Sequence, residues 1–466
     1  MNLILFLFIA AFFTLSLGEF GQFPFGNTDF SVSVFDILLT LSLSALLVWN
    51  IAIKKNLKMP RNFPYLIIFW AIAILSLFFS LDLSGWLYLL RFIIYSTTFY
   101  LAFHLVKSKI LSLNEFLTLI KITSITLAVL GFVQLIFYPD LGILSDLGYD
   151  PHKYRLFSTF LDPNLLGTFL TFGFILTIYE LVSKKITPQF FKESKWNIIT
   201  ATILGIAIIL TFSRSSYLML SVSMLFMLAL KNRKILAFFA ISAIILYFIF
   251  PAFNNRIEGA LSIDASASER FSSWDKGLII FQQNPIIGAG FNNIRNYSKQ
   301  VDLVKLYSID GGNSGSGVDS SLIFVLATTG ITGFLSYAIF LIKILNDLIS
   351  STFSNTKFFY GLQLQPIKLL QQIYKLPGLR KWYKEDSGSK KVIKENFLSL
   401  PLLAITIGLI TNSFFINSLF FPPIMFVWFS FLGVFYGLGE GEGEGVGVGL
   451  GAASSASPIL HPVDPS

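Results

Sequence analysis

Four charged side chains of this sequence could do chemistry: Arg155, Arg214 and Asp319 next to long apolar segments, and Arg270 in the polar stretch that precedes Asp319. A charge at membrane depth is costly to place and usually has a function. A guanidinium group offers planar, bidentate hydrogen bonding to phosphate oxygens. A carboxylate in the same site could accept a proton from a hydroxyl group. These residue types predict a site that binds an anionic phosphate group and orients or deprotonates a hydroxyl group.

Arg155 precedes the sequence Asp162-Pro163-Asn164, which is typical of a turn that opens a helix. The free N–H groups of a helix N-terminus form a partial positive pole, and an arginine beside that pole favours an anion. The alternative is that Arg155 extends to a lipid headgroup and has no other task. His152 is a second candidate for orienting or deprotonating a hydroxyl group, or a surface residue without a role.

Arg214 lies in the short polar turn Thr211-Phe212-Ser213-Arg214-Ser215-Ser216, between two apolar segments. Two predicted spans separate this turn from Arg155, so both arginines are expected at the same face of the membrane. Two cations that converge there would fit a pyrophosphate better than either alone.

Arg270 lies in the first turn of a predicted amphipathic helix. Ser266 and Glu269 form a capping-box pattern at its start, and Pro285 ends it. Its apolar side chains fall on one helical stripe: Phe271, Trp274, Leu278 and Phe281. Such a helix is expected to lie at the membrane surface. Simple docking to lipid is therefore the alternative to a role for Arg270 in the site.

Asp319 stands where a long polar stretch, residues 254–318, gives way to an apolar segment. Its carboxylate could act as a general base toward the same anion site. It could equally be the N-cap of the helix that follows. The sequence leaves both interpretations open.

The composition is that of a membrane-embedded chain. Of 466 residues, 54% are hydrophobic and 13% are charged, and the mean hydropathy is +0.71; soluble domains have about 25% charged residues. A span needs about 20 apolar residues. We therefore predict an all-α polytopic membrane protein with about twelve transmembrane helices. The segments are 3–17, 33–53, 63–81, 86–106, 116–138, 161–182, 196–212, 216–230, 235–253, 320–342, 397–415 and 422–438.

The distribution of lysine and arginine predicts the orientation. Most of the 34 cations fall in segments that share one face if the N-terminus is inside, and cytoplasmic loops carry this excess. We expect both termini in the cytoplasm, the first apolar segment to be an uncleaved span, and 254–318 to be an extracytoplasmic loop that contains the amphipathic helix. Residues 1–438 would form the membrane domain, 346–395 a cytoplasmic loop, and 439–466 a disordered glycine-rich tail.

The net charge of +8 reflects this topology and the contact of cations with membrane lipids, so no nucleic-acid partner is predicted. The chain has no cysteine, and its three histidines are too scattered for a metal cluster. Neither a metal nor a cofactor is predicted.

Four motifs in order, densest in 150–345, carry a resemblance to a known family. They are Arg-x-x-Ser-Thr-Phe-x-x-Pro-Asn from Arg155, Thr-x-Ser-Arg from Thr211, Glu-Arg-x-x-x-Trp from Glu269 with Pro-x-x-Gly-x-Gly from Pro285, and Asp-Ser-Ser-Leu from Asp319 ahead of a Gly-x-x-Gly span. The chain resembles the O-antigen ligase and O-antigen polymerase superfamily.

The resemblance implies a metal-independent, inverting membrane glycosyltransferase. It would transfer or polymerise a glycan from an undecaprenyl-pyrophosphate-type carrier onto a glycan, lipid or protein acceptor outside the cytoplasmic membrane. By the same resemblance Arg155, Arg214 and Arg270 would contact the substrate pyrophosphate. Ligases typically carry His-Asn where this chain has Asp319-Ser320. This departure favours a polymerase or a protein-glycan transferase, with Asp319 and Arg214 as the catalytic residues.

Two other classes compete with this interpretation. A transporter or flippase of lipid-linked glycans would also have about twelve spans, but such proteins place charges near the midplane. A structural scaffold for envelope assembly would explain the long loop but not the positions of Arg155 and Arg214.

Overall fold

The computed structural model describes residues 1–26, 30–54, 58–80, 85–147, 149–183, 194–249, 265–300, 317–353 and 397–441. These residues form fifteen α-helices. In chain order the helices are α1 (Asn2–Leu15), α2 (Val34–Val48), α3 (Phe63–Phe78), α4 (Trp86–Ser96), α5 (Thr98–Lys107), α6 (Leu113–Phe137), α7 (Pro163–Ser183), α8 (Ser194–Leu210), α9 (Arg214–Lys231), α10 (Arg233–Ile249), α11 (Ala265–Gln283), α12 (Ile294–Gln300), α13 (Ser321–Thr352), α14 (Ser399–Asn412) and α15 (Pro422–Gly441).

Helix starts follow local sequence signals. Ser33 caps α2 and Ser112 caps α6, each in a reciprocal capping box with the acidic residue three positions later, Asp36 and Glu115 respectively. The side-chain oxygen of each serine accepts a backbone N–H of the first turn, which has no partner within the helix. These starts are therefore determined by a few neighbouring residues.

Six helical segments are long and apolar enough to cross a membrane: Val34–Ile53, Trp86–Lys107, Leu113–Phe137, Pro163–Ser183, Ser321–Thr352 and Pro422–Gly439. Four shorter apolar helices accompany them: Asn2–Leu15, Phe63–Phe78, Lys195–Leu210 and Ser399–Asn412. The chain is thus an α-helical membrane protein. Each of the twelve predicted segments contains a helix, and the number that spans the bilayer stays a prediction.

The structure differs from the predicted all-α fold in small ways. A two-stranded antiparallel hairpin, β1 (Gln22–Pro24) and β2 (Ser31–Ser33), precedes α2. The segment predicted as a single helix at 86–106 is divided at Thr97 into α4 and α5. Backbone hydrogen bonding between neighbouring strands is not visible in hydropathy, which explains why the hairpin escaped prediction.

The loop boundaries also shift. Helix α13 continues to Thr352, so the cytoplasmic loop predicted at 346–395 begins as helix, and α15 runs to Gly441, into the predicted tail. Most of that loop and tail, and residues 254–264 and 301–316 of the predicted long loop, lie outside the described residues.

The core is rich in aromatic side chains, and α15 is its most enclosed helix. Phe426, Trp428 and Phe431 on α15 are buried, and α15 packs along α5. Helices α7, α8 and α9 pack against one another, and α14 packs on α9. Apolar side chains such as Phe6 and Ile37 remain exposed on α1 and α2, which costs little where the surrounding solvent is lipid.

Helices α6, α7 and α8 are joined by a buried ion pair. Lys121 Nζ lies 2.7 Å from Glu180 Oε2 and also donates to Asn197 Oδ1 at 3.3 Å. Both charged side chains are buried, so each neutralises a charge that would be very costly alone. Lys121 follows the start of α6 and Glu180 precedes the end of α7. The pair therefore lies toward the end of the bundle opposite Arg155, which precedes α7.

Candidate active site

Arg155 is buried against the turn between α8 and α9. Its Nε donates to the carbonyl oxygen of Thr211 at 2.9 Å, and its Nη2 donates to the carbonyl oxygen of Phe212 at 3.3 Å. Nη2 also donates to Asn164 Oδ1, at 3.2 Å, in the first turn of α7. The guanidinium group thereby ties the start of α7 to the turn that leads into Arg214.

Arg214 is the first residue of α9 and is half-buried. Ser213 caps this helix by accepting a hydrogen bond from the Ser216 amide, and Ser216 Oγ donates to the carbonyl oxygen of Asn164 at 2.9 Å. Because Gly167 has no side chain, the turn approaches α7 closely; a Cβ there would lie 2.5 Å from Ser216 Oγ. The structure therefore brings the elements that carry Arg155 and Arg214 together.

The backbone around Arg155 is strained. Of the six non-glycine residues with positive φ in the part of the chain that the structure describes, four lie in this region. They are Tyr154 at 54°, Ser158 at 52°, Leu161 at 54° and Phe212 at 47°. Such conformations cost about 1–3 kcal/mol each and concentrate at functional sites. The surrounding contacts must hold this region in place.

His152 is half-buried, and its Nδ1 lies 3.3 Å from Arg155 Nη1. An arginine side chain can only donate, so Nδ1 accepts and the ring proton lies on Nε2. In this tautomer Nε2 can donate a hydrogen bond but cannot take a proton. His152 is thus suited to orienting an oxygen atom rather than to acting as a base.

Asp162 is the N-cap of α7. Its Oδ1 accepts from the amides of Asn164 at 2.6 Å and Leu165 at 3.2 Å. Burial raises the pKa of the Asp162 carboxyl, while these two hydrogen bonds and the Arg155 charge act to lower it. The two hydrogen bonds give Asp162 the role of a helix cap for α7.

Asp319 does not cap the helix that follows it. The N-cap of α13 is Ser320, whose Oγ accepts from the Ile323 amide at 3.4 Å. The Asp319 side chain is half-buried, and no residue within the described ranges forms a hydrogen bond to its carboxylate. The N-cap interpretation of Asp319 is wrong, and its carboxylate remains able to accept a proton or a hydroxyl hydrogen bond.

Charges from two separate parts of the chain act on Asp319. The pKa of its carboxyl is raised to about 6. Burial is the largest cause, Arg270 and Lys276 act to lower the pKa, and Asp162 and Asp150 act to raise it. Arg270 and Lys276 belong to α11, whereas Asp150 and Asp162 lie in the connection between α6 and α7. The site therefore combines the predicted Arg270 and Asp319 with the connection that also contains Arg155.

Helix α11 is present as predicted but docks mainly by another face than its apolar stripe, of which Trp274 still contacts Phe415. The residues of α11 that are buried toward the bundle include Lys276, Gly277 and Ile280, whereas Phe271 and Leu278 of the stripe are exposed. A Cβ at Gly277 would lie 2.6 Å from Ile323 of α13, so the two helices are in close contact. The exposed residues of the stripe therefore do not pack on the bundle.

The segment after α11 fills a break in α13. Gly330 has φ 64° and ψ −168°, which interrupts the helix. The amides of Ala289 and Gly290 donate to the carbonyl oxygens of Ala327 and Thr328 at 3.0 and 3.1 Å, and the Ile331 amide donates to Pro285. The Pro-x-x-Gly-x-Gly motif thus pairs with the polar backbone that the break exposes.

Residues 199–338 match the family model of the O-antigen ligases. This match supports membership of the O-antigen ligase superfamily. No curated protein matches the chain. The matched region runs from α8 into α13 and contains Arg214, Arg270 and Asp319, whereas Arg155 precedes it.

The family of the matching model implies a membrane glycosyltransferase-like enzyme with a lipid-linked glycan and an acceptor as partners. Within the described ranges, no group of three or more His, Asp or Glu side chains could hold a metal ion.

Three charged residues of this candidate site were not predicted from the sequence: Asp150, Asp162 and Lys276. Asp162 lies within the Arg155 motif, where its position before Pro163 signals a helix N-cap. Lys276 is 3% exposed on the buried face of α11 and carried no sequence signal, because the apolar stripe predicted the opposite face as buried. The pKa of the Lys276 ammonium is lowered by burial, against the opposing effect of Asp319.

Proposed function

We propose that this protein transfers or polymerises a glycan from an undecaprenyl-pyrophosphate-type carrier onto a glycan, lipid or protein acceptor at the outer face of the cytoplasmic membrane. The observation that carries the proposal is the position of the Asp319 carboxylate. It is half-buried, and charges from two parts of the chain act on it: Arg270 and Lys276 of α11, and Asp162 and Asp150 of the connection between α6 and α7. Membership of the superfamily supports a lipid-linked glycan as the donor.

In this proposal Arg214 and Arg270 bind the pyrophosphate of the donor. Both side chains are half-buried, so they offer cationic donors in a partly desolvated site. Negative charge grows on the pyrophosphate oxygens as the bond to the sugar breaks, and fixed cations that bind this charge more strongly in the transition state lower the barrier. Arg155 supports the same site by fixing the turn that carries Arg214.

Asp319 accepts the proton of the acceptor hydroxyl group. The hydroxyl oxygen forms a bond to the anomeric carbon, the bond from that carbon to the pyrophosphate oxygen breaks, and the carrier pyrophosphate leaves as an anion. A single displacement of this kind inverts the anomeric centre. A pKa of about 6 suits the task, because the carboxyl is mostly ionised at neutral pH yet is a stronger base than a free aspartate.

His152 is proposed to orient an oxygen atom in this step. With Nδ1 engaged by Arg155, its Nε2–H can donate to a sugar hydroxyl or a phosphate oxygen. Superfamily resemblance implies that the reaction needs no metal ion.

The experiment that tests the proposal is incubation of the purified protein, in detergent or proteoliposomes, with a lipid-pyrophosphate glycan and an acceptor. Release of the free carrier pyrophosphate together with glycan on the acceptor supports glycosyl transfer. Movement of the intact lipid-linked glycan across the proteoliposome bilayer, without release of the carrier, would instead support the transporter. An Arg214→Ala protein serves as the control for release that does not depend on the site.

A further inference from the structure

We propose that Ser273 and Trp274 of α11 are positioning residues that hold Asp319 in place for proton transfer. This inference rests on the proposed function, since it assigns the residues that orient the same carboxylate. It gives α11 a role in proton transfer to Asp319, which precedes the start of α13.

The two residues hold the Asp319 backbone from both sides. The Asp319 amide donates to Ser273 Oγ at 2.7 Å, and Trp274 Nε1 donates to the Asp319 carbonyl oxygen at 3.3 Å. The Trp274 ring packs on Phe415, with 6.1 Å between ring centroids. Both polar groups of the Asp319 main chain are thus bonded to neighbouring residues of a single helix, and the φ/ψ angles of Asp319 are constrained.

The residues after Asp319 are held by a different element. The Ser321 amide donates to the carbonyl oxygen of Ser413 at 2.8 Å, and Ser321 Oγ accepts from the Leu419 amide at 3.1 Å. Ser413 and Leu419 belong to the connection between α14 and α15. The serines of the Asp-Ser-Ser-Leu motif therefore have structural tasks, and the position of Asp319 itself depends on α11.

Helix α11 is in close contact with the helix that follows Asp319. Gly277 allows contact with Ile323 and Val318, and the segment after α11 pairs with the break at Gly330. A displacement of α11 would therefore disturb its contact with α13. The hydrogen bonds of Ser273 and Trp274 would shift the main chain of Asp319 at the same time.

The same helix also provides the cations that act on Asp319. Arg270 and Lys276 lie on α11, and the opposing carboxylates Asp162 and Asp150 lie in the connection between α6 and α7. If Asp319 loses its hold on α11, its carboxylate becomes more hydrated. A weaker effect of Arg270 and Lys276 acts in the opposite direction, but burial is the largest cause of the raised pKa, so the pKa should fall toward the ordinary value of 3.8.

The test compares Ser273→Ala, Ser273→Thr and Trp274→Phe with the matched control Ser272→Ala, at an exposed position on the same helix. Ser273→Ala should lower kcat by roughly 10- to 100-fold, because misplacement of a reacting group by about 1 Å has effects of this size. The KM for the lipid-linked donor should change little. Ser273→Thr keeps the hydroxyl acceptor and should restore most of kcat. Trp274→Phe keeps an aromatic ring at this position but loses the N–H group and part of the ring area, and should show a smaller loss of kcat.

Two further measurements separate positioning from a merely structural role. The midpoint of the acid limb of the pH–rate profile should lie at lower pH in Ser273→Ala than in the wild-type protein. In an Asp319→Asn background, Ser273→Ala should add no further loss, because the residue acts through Asp319. Wild-type kcat and an unchanged pH midpoint in Ser273→Ala or Trp274→Phe, with Asp319→Asn impaired, would overturn the positioning proposal alone. Full activity in Asp319→Asn would instead overturn the catalytic assignment on which it rests.

Discussion

Arg155 Nε donates a hydrogen bond to the carbonyl oxygen of Thr211 at 2.9 Å, so an arginine expected to bind pyrophosphate also fastens the turn that precedes Arg214. The two arginines are therefore not equivalent. Arg155 is 8% exposed and bonded to main-chain oxygens, whereas Arg214 is half-buried at the first position of α9. This difference makes the roles of the two arginines separable by mutation.

Arg155→Ala is expected to reduce both stability and activity. The change leaves the buried carbonyl oxygen of Thr211 and the partly buried carbonyl oxygen of Phe212 without this donor, and an unsatisfied buried group costs about 1–3 kcal/mol. Thermal unfolding of the detergent-solubilised protein should show a lower Tm, alongside a loss of transfer. An unchanged Tm with abolished transfer would mean that Arg155 acts on substrate alone.

Arg214→Ala is expected to abolish transfer while the protein remains folded in the membrane. Arg214→Lys should recover little activity, because an ammonium group cannot reproduce the planar, bidentate contact with phosphate oxygens. The measurements are carrier release and the elution profile of the purified variant. Near-normal turnover of Arg214→Ala would remove this arginine from the site, and Leu218→Ala, at an exposed position on the same helix, is the control.

Asp319→Asn is expected to lower the rate roughly 10²-fold, the usual effect of losing a general base. Because Ser320 caps α13, neither Asp319→Asn nor Asp319→Ala should lower the free energy of unfolding by more than about 0.5 kcal/mol. Ser320→Ala is the matched control and should cost about 1 kcal/mol of stability. Asp319→His should retain activity if a proton acceptor is what the position requires.

The transfer rate is expected to fall as the pH is lowered through about 6, since the folded-state pKa of Asp319 is raised to that value and only the ionised carboxylate accepts a proton. The contribution of Asp319 to folding stability changes with pH in the opposite direction. A raised carboxyl pKa favours the folded state below the ordinary value of 3.8, and this contribution is lost as the pH rises through about 6.

Lys276→Met tests the electrostatic part of this pH dependence. Lys276 lowers the pKa of Asp319, so its removal should move the acid limb of the pH–rate profile to higher pH. If the midpoint of the acid limb is unchanged in both Lys276→Met and Asp319→Asn, the group that titrates in the pH–rate profile is not Asp319.

The predicted orientation can be tested by cysteine labelling in a chain that has no cysteine. Ser272→Cys on α11 should react with a membrane-impermeant reagent in whole cells, and Asn114→Cys at the start of α6 should react only after permeabilisation. Both positions are exposed in the structure. Labelling in the opposite order would reverse the assignment of the candidate site to the outer face.

The sequence by itself determined the membrane class and the helices. Hydropathy, span length and capping signals act over a few neighbouring residues, so the helix that begins after Ser112 and the one that contains Arg270 could be predicted locally. The order of the motifs also indicated the residues of the candidate site. Arginine and aspartate are residue types suited to phosphate binding and proton transfer.

Only the tertiary structure decided how those residues are positioned. That Ser320 rather than Asp319 caps α13, that α11 turns Lys276 inward, and that Arg155 bonds to the Thr211 turn all depend on contacts between residues far apart in the chain. An amphipathic pattern predicts that a helix has two faces. It does not specify which face meets the bundle, because the close approach of Gly277 to α13 is a property of both helices together.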